Sequence, residues 1–279
     1  SIDHNLINPL TRIILGYLSG AVLLGFGFKL KAKYESFSAV LVSGAMAIFY
    51  FITFFAYNFY SLIPQLLAFV LMVVFTIFTV ISALQYNKQV IALIGLVGAY
   101  AVPLLLSDGS GKVLIFFAYI AIVNAGLMVI AIKKEWKPLY YAAFGLTWLV
   151  FANWLFTTFN VDEHFVIALV FATLFFIEFY ITFLAYKLAA NTQFSIEDVV
   201  LILVNSFLYF GLGLYIIGNK TAGQDYFGLF TVINATLHFI VSYIIYSKKL
   251  ADKNLFYLIA GLVLVFITIA IPIQLDGNW

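Results

Sequence analysis

The sequence predicts an all-α, polytopic integral membrane protein, a helix bundle with about ten transmembrane helices. Three observations predict it. Hydrophobic residues make up 65% of the 279 residues and charged residues only 9%, with a mean hydropathy of +1.10; a soluble domain carries about 25% charged side chains to cover its surface. The chain divides into ten apolar stretches of about 20 residues, the length that spans the hydrocarbon core as a helix. The loops between them carry Lys in a repeating rhythm. Period-two alternation, the mark of a membrane barrel, is missing, and an apolar run in lipid satisfies its own backbone only as a helix.

The spans follow in order at 10–28, 36–57, 62–84, 90–107, 113–132, 138–158, 164–188, 199–218, 226–246 and 255–275. The first is long enough to cross by itself, and no cleavable signal pattern precedes it. The second carries Gly44. The fourth, "IGLVGAYAVPLLLS", holds Gly95, Gly98 and Pro103. Glycines permit close approach, and proline removes a backbone bond, so a break or bend is expected there. The fifth contains Asn124 and runs into Lys133 and Lys134; the sixth contains Gly145. The seventh places Glu178 near its middle with Thr182 one turn on. The eighth carries Asn205 and Ser206, the ninth His238, and the tenth Gly261. Together they are expected to form a single transmembrane domain over 1–279.

With Lys187, in the last turn of the seventh span, counted with the loop that follows it, Lys and Arg number three, none, one, one, three, none, one, one and three in successive loops. Lys29, Lys31, Lys33, Lys88, Lys133, Lys134, Lys137, Lys187, Lys248, Lys249 and Lys253 all fall on one side, and Arg12, Lys112 and Lys220 on the other. The positive-inside bias makes the richer side cytoplasmic and leaves both termini outside the cell.

The rhythm implies a unit of four helices. "IVNAGLMVIAIKKEW" in the fifth span and "VINATLHFIVSYIIYSKK" in the ninth align Asn124 with Asn234 and Ala125 with Ala235, and both helices run to a Lys-Lys pair. Units of four keep one orientation, so the repeats are parallel rather than inverted. Met128 stands in one repeat where His238 stands in the other. The first residue is Ser1, so either the initiator is removed or the chain is a piece of a longer one. Ten helices make two and a half units, and the half unit at the end points to a native chain that continues beyond Trp279.

Ionisable groups at mid-bilayer cost about 2.5–3.5 kcal/mol on insertion scales and therefore demand a reason. Glu178 reads either as a proton- or cation-handling carboxylate or as a paired group pinning helices. Thr231, Asn234, His238 and Ser242 are spaced three, four and four apart and form one stripe. That stripe should face a neighbouring helix or a wet cavity, with Glu178 the natural partner of His238. Asn124, Asn205 and Asn234 read as interhelical hydrogen-bonding groups or as substrate contacts. The substrate- or proton-handling candidates are thus Glu178, His238, Asn234, Asn205, Thr182 and Asn124, with Pro103, Gly98 and Gly95 as the helix-break candidates.

Other chemistries find no support. Cysteine is absent, which removes disulfides, thiolate metal sites and a Cys nucleophile. His4, His164 and His238 are scattered, no HExxH occurs, and Ser residues lack GxSxG context. "SDGSGK" (107–112) lacks the Walker spacing. No catalytic residue, metal or cofactor is expected, and the net charge of +2 argues against nucleic acid.

The segments "IALIGLVGAYAVPLLLSDGSGK" (91–112), "KKEWKPLYYAAFGLTW" (133–148) and "IAIPIQLDGNW" (269–279) resemble a bacterial family of large membrane proteins filed as a domain of unknown function, number 2339. The resemblance implies a multi-helix domain of the bacterial cytoplasmic membrane, either a fragment of a longer protein or a short member of the family, and supplies no activity or residue roles. The expected function is a transporter or flippase-like carrier with a midplane polar site. The alternative is a structural or assembly subunit with a protein partner or oligomer, and less so an intramembrane enzyme acting on lipid-linked substrates.

Overall fold

The computed structural model describes residues 8–106, 113–190, 194–248 and 253–274. Ten α-helices lie in these segments: α1 Pro9–Leu30, α2 Glu35–Phe54, α3 Gln65–Tyr86, α4 Gln89–Leu106, α5 Val113–Lys133, α6 Lys137–Thr157, α7 Val161–Ala190, α8 Ile196–Gly218, α9 Phe227–Lys248 and α10 Lys253–Gln274. No strand occurs among the described residues. Among the described residues, nine helices are long and apolar enough to cross a membrane; α4 contributes the shorter apolar segment Gln89–Tyr100. The expected loop 107–112 lies outside the described residues.

Local chemistry sets the ends. The Asn8 side chain accepts from the Leu10 amide at 2.9 Å, with Pro9 in the first turn of α1, where its missing N–H costs nothing. Ser195 and Asp198 form a reciprocal capping box that starts α8. Asn87, at φ 51°, closes α3 in the left-handed region that asparagine tolerates. A π-turn over Phe55–Phe59 ends α2.

The chain forms two compact units. The first holds residues 1–130 and 136–146, the second 131–135 and 147–279. In the first, α2 is the central helix: Val42, Ala45, Met46, Tyr50 and Thr53 are buried along it. α1 lies at the edge with only Ile13, Gly20 and Gly27 buried. Small residues let it approach α2 closely, for a methyl at Gly20 would fall 2.6 Å from the Phe49 ring. In the second unit α7, α8, α9 and α10 pack in sequence.

Exposed apolar stripes show how the helices meet their solvent. On α3, Leu66, Val70, Val74, Ile77 and Ile81 are exposed, while Ala68, Met72, Thr76, Thr79, Ala83 and Tyr86 are buried. On α7, Val166, Val170, Leu174, Ile177 and Ile181 are exposed at the same three-and-four spacing. Contiguous apolar stripes of this extent are untenable in water and ordinary against acyl chains.

Candidate functional site

In the second unit the α9 stripe is buried throughout: Thr231, Asn234 and His238 have no exposed surface, and Ser242 retains 6%. The Thr231 hydroxyl is spent on the Phe227 carbonyl of its own helix. His238 hydrogen-bonds through Nδ1 to the Tyr180 hydroxyl at 2.9 Å. Its ring stacks on Phe266 of α10, with centroids 5.3 Å apart and planes 4° from parallel, and takes the edge of Phe176 at 5.9 Å. Nε2 has no hydrogen-bond partner. In one tautomer it is an open donor and in the other an open acceptor.

Asn234 sits one turn before His238, and neither its amide nitrogen nor its amide oxygen has a partner. Phe230, a turn earlier, stacks on Phe210 of α8, and Phe210 also packs on Phe266 at 5.0 Å. The open polar atoms of Asn234 and His238 therefore lie in an aromatic surround. One turn beyond His238 the stripe reaches a groove between α9 and α10 of about 390 Å³, lined by Ser242 with Phe239, Tyr243, Tyr246 and Phe256. Tyr243 and Tyr246 are well exposed, so the groove opens on the lipid-facing surface.

The sequence expected Glu178 as the partner of His238, and the direct bond is not formed: Nδ1 goes to Tyr180 and Nε2 to nothing. The reason is helical phase. Tyr180 lies two residues past Glu178, about 200° around α7 at 3.6 residues per turn, so only one of them can address α9. Glu178 is buried at 7% exposure, flanked on its helix by buried Phe175 and Phe179. The Thr182 hydroxyl donates to the Glu178 backbone carbonyl at 2.7 Å, so it returns to its own helix and does not reach the carboxylate.

Asn205 and Asn124 are placed differently from Asn234. Asn205 donates to the Phe176 carbonyl of α7 at 3.0 Å and accepts from the Trp148 indole of α6 at 3.2 Å. Asn124, in the first unit, accepts from the Tyr100 hydroxyl of α4 at 2.7 Å. Both tie helices together. Gly95 and Gly98 lie within α4, where Gly95 faces Thr79 and Gly98 faces the Tyr50 ring. The backbone of α4 is helical through Pro103 to Leu106, so the residues expected to mark a break sit inside a helix.

Two groups were missed from sequence. The aromatic partners Tyr180, Trp148, Phe210 and Phe266 are indistinguishable by pattern in a chain with 31 Phe and 18 Tyr. The second is an ion-pair network: Lys187 at the end of α7 lies 2.7 Å from Glu135 and 3.6 Å from Asp198. By pattern Lys187 is only one of the loop charges, although the acid at the α8 start, "SIED", is a visible signal.

Ten helices, lipid-facing apolar stripes and polar atoms buried between helices define a polytopic helical membrane protein. The chain matches, over residues 1–279, the family described as Predicted membrane protein (DUF2339), and it belongs to that family. No curated protein and no solved structure matches the chain.

Proposed function

We propose that the protein is a membrane carrier, set in a bacterial cytoplasmic membrane with both termini outside, that takes an amphipathic, hydrogen-bonding molecule at the α9 stripe. The observation that carries this reading is the Asn234 amide, fully buried with both polar atoms open beside the open Nε2 of His238. A buried polar group left unpaired costs about 1–3 kcal/mol, and in lipid no solvent relieves it. A bound polar headgroup would supply a donor and an acceptor at that point. The groove at Ser242 gives an apolar tail a lateral place to lie.

The four-helix repeat supports the same site. The register that pairs Asn124 with Asn234 also pairs Tyr100 with Phe210. In the first unit the Tyr100 hydroxyl satisfies Asn124; in the second, phenylalanine stands in its place and the amide is left open. On this reading one repeat keeps the structural bond and the other gives it up for a ligand.

The experiment is transfer of NBD-labelled phospholipid between leaflets of proteoliposomes, read by dithionite quenching. The wild-type protein should accelerate transfer over protein-free vesicles. Phe210→Tyr, which puts a hydroxyl at the position that the repeat register matches to Tyr100, and Asn234→Leu should each slow it by tenfold or more, the equivalent of about 1.4 kcal/mol. Transfer no faster than in empty vesicles, or unaltered in both variants, overturns the proposal. The structural-subunit alternative is favoured by the satisfied bonds of Asn124 and Asn205, which act as interhelical ties.

A further inference from the structure

Positive charge collects, without ion pairs, at one end of the first unit. Residues 29–35, which end α1 and lead into α2, and residues 86–89, which join α3 to α4, carry four amines, Lys29, Lys31, Lys33 and Lys88, against one carboxylate, Glu35. Among the described residues none of these four amines forms an ion pair. Lys187 of the second unit differs, for it lies 2.7 Å from Glu135 and 3.6 Å from Asp198. The Lys31 ammonium sits 4.1 Å over the Tyr86 ring. The Tyr86 hydroxyl lies 3.0 Å from that of Ser38, and Ser38 donates to the Gly27 carbonyl at 2.5 Å. Tyr86 is therefore a platform tied to both α1 and α2, and a cation resting on one ring face keeps its other side open. Lys88 follows Tyr86 by two residues, its amide held by the Ala83 carbonyl at 3.2 Å.

The surroundings of these amines identify the partner. The links between helices are short, residues 31–34 between α1 and α2 and residues 87–88 between α3 and α4, so the amines stay close to the helix ends. Phe26, Phe28 and Phe37 are exposed beside them, as are Ile77 and Ile81 of α3, and Phe28 packs on Phe78 of α3 with ring centroids 6.1 Å apart. Amines within two turns of side chains that face acyl chains belong at the depth of the lipid phosphates. We propose that Lys31 and Lys88, in the field of Lys29 and Lys33, bind the headgroup phosphate of an anionic phospholipid whose acyl chains lie along α1 and α3. A zwitterionic lipid carries its own cation to the amines and gains less from them. A soluble acidic protein is disfavoured, because the rings beside the amines already face acyl chains. The site lies in the first unit and does not rest on the carrier reading.

The test is lipid binding to the purified protein in detergent, counted by native mass spectrometry, with dioleoylphosphatidylglycerol set against dioleoylphosphatidylcholine. One lysine near an anionic lipid surface favours binding by about fivefold, so the phosphatidylglycerol should bind at least about fivefold tighter. That preference should shrink as sodium chloride rises from about 0.05 to 0.5 M, because the screening length falls. Lys31→Gln combined with Lys88→Gln should bring the two lipids to within about twofold of each other. Lys31→Arg combined with Lys88→Arg keeps both charges and should keep the preference. So should Lys220→Gln, which removes the cation 4.3 Å over the Phe165 ring in the second unit. Equal binding of the two lipids by the wild-type protein overturns the proposal, as does a preference that survives the paired Gln substitutions. A preference erased by inorganic phosphate, and not by chloride at equal ionic strength, also overturns it by assigning the amines to a free anion. If the paired Gln variant does not fold, the wild-type comparison and its salt titration decide alone.

Discussion

Three of the asparagines in the spans, Asn124, Asn205 and Asn234, share a residue type and differ in what surrounds them. Asn205 has both amide atoms engaged across two helix interfaces, Asn124 accepts from Tyr100, and Asn234 has neither amide atom engaged. Replacing Asn205 and replacing Asn234 should therefore affect stability differently. Asn205→Leu strands the Trp148 indole and the Phe176 carbonyl contact and should cost about 1–2 kcal/mol. Asn234→Leu removes an unpaired amide from an apolar surround and should leave stability unchanged or raise it. Unfolding of both variants in detergent by thermal melting or urea separates them; equal destabilisation would mean that Asn234 is a tie like Asn205. Sequence spacing located all three asparagines and the α9 stripe, because i, i+3 and i+4 arithmetic holds on any helix. It did not locate their partners. Which α7 side chain meets His238 depends on the rotation of that helix about its axis, and a chain apolar on nearly every face carries little signal of that rotation. Hence Glu178 was expected where Tyr180 is found.

Ends and junctions of elements were legible to different degrees. The Ser195–Asp198 capping box is written in the sequence as "SIED", and the loop charges mark helix ends throughout. What the pattern could not show is that Asp198 has a second role. Its carboxylate caps α8 and lies 3.6 Å from Lys187, which in turn holds Glu135 between α5 and α6 at 2.7 Å. Lys187 is 12% exposed and Asp198 10%, so this triad is shielded from salt more than an open surface pair. Lys187→Met should cost about 1.5–3 kcal/mol, because Glu135 and Asp198 then lose the ammonium that both of them contact. Adding Glu135→Gln to that variant should recover part of the loss. A double-mutant cycle in detergent measures the coupling; additive costs would show that Lys187 and Glu135 do not interact in the folded protein.

At the scale of the whole molecule, composition and run length settle the class, since no arrangement of these residues covers a water-facing surface. Orientation rests on a different and weaker physical asymmetry, the bias of Lys toward the cytoplasmic side. The Lys31 ammonium lies 4.1 Å over the Tyr86 ring, which puts the α1–α2 loop and the end of α3 at one face of the first unit, as alternating crossings require. The chain lacks cysteine, so single introduced thiols report topology without a background to remove. Ala32, between α1 and α2, and Thr158, after α6, are both exposed. Five helices, α2 to α6, separate them, and five crossings would put them on opposite sides. In intact cells a membrane-impermeant maleimide should label Thr158→Cys, and should label Ala32→Cys only after permeabilisation. The opposite pattern would invert the orientation and place both termini inside. Labelling of both thiols, or of neither, would instead mean an even number of crossings between them. The helix at issue would then be α4, whose apolar segment Gln89–Tyr100 is the shortest of the ten.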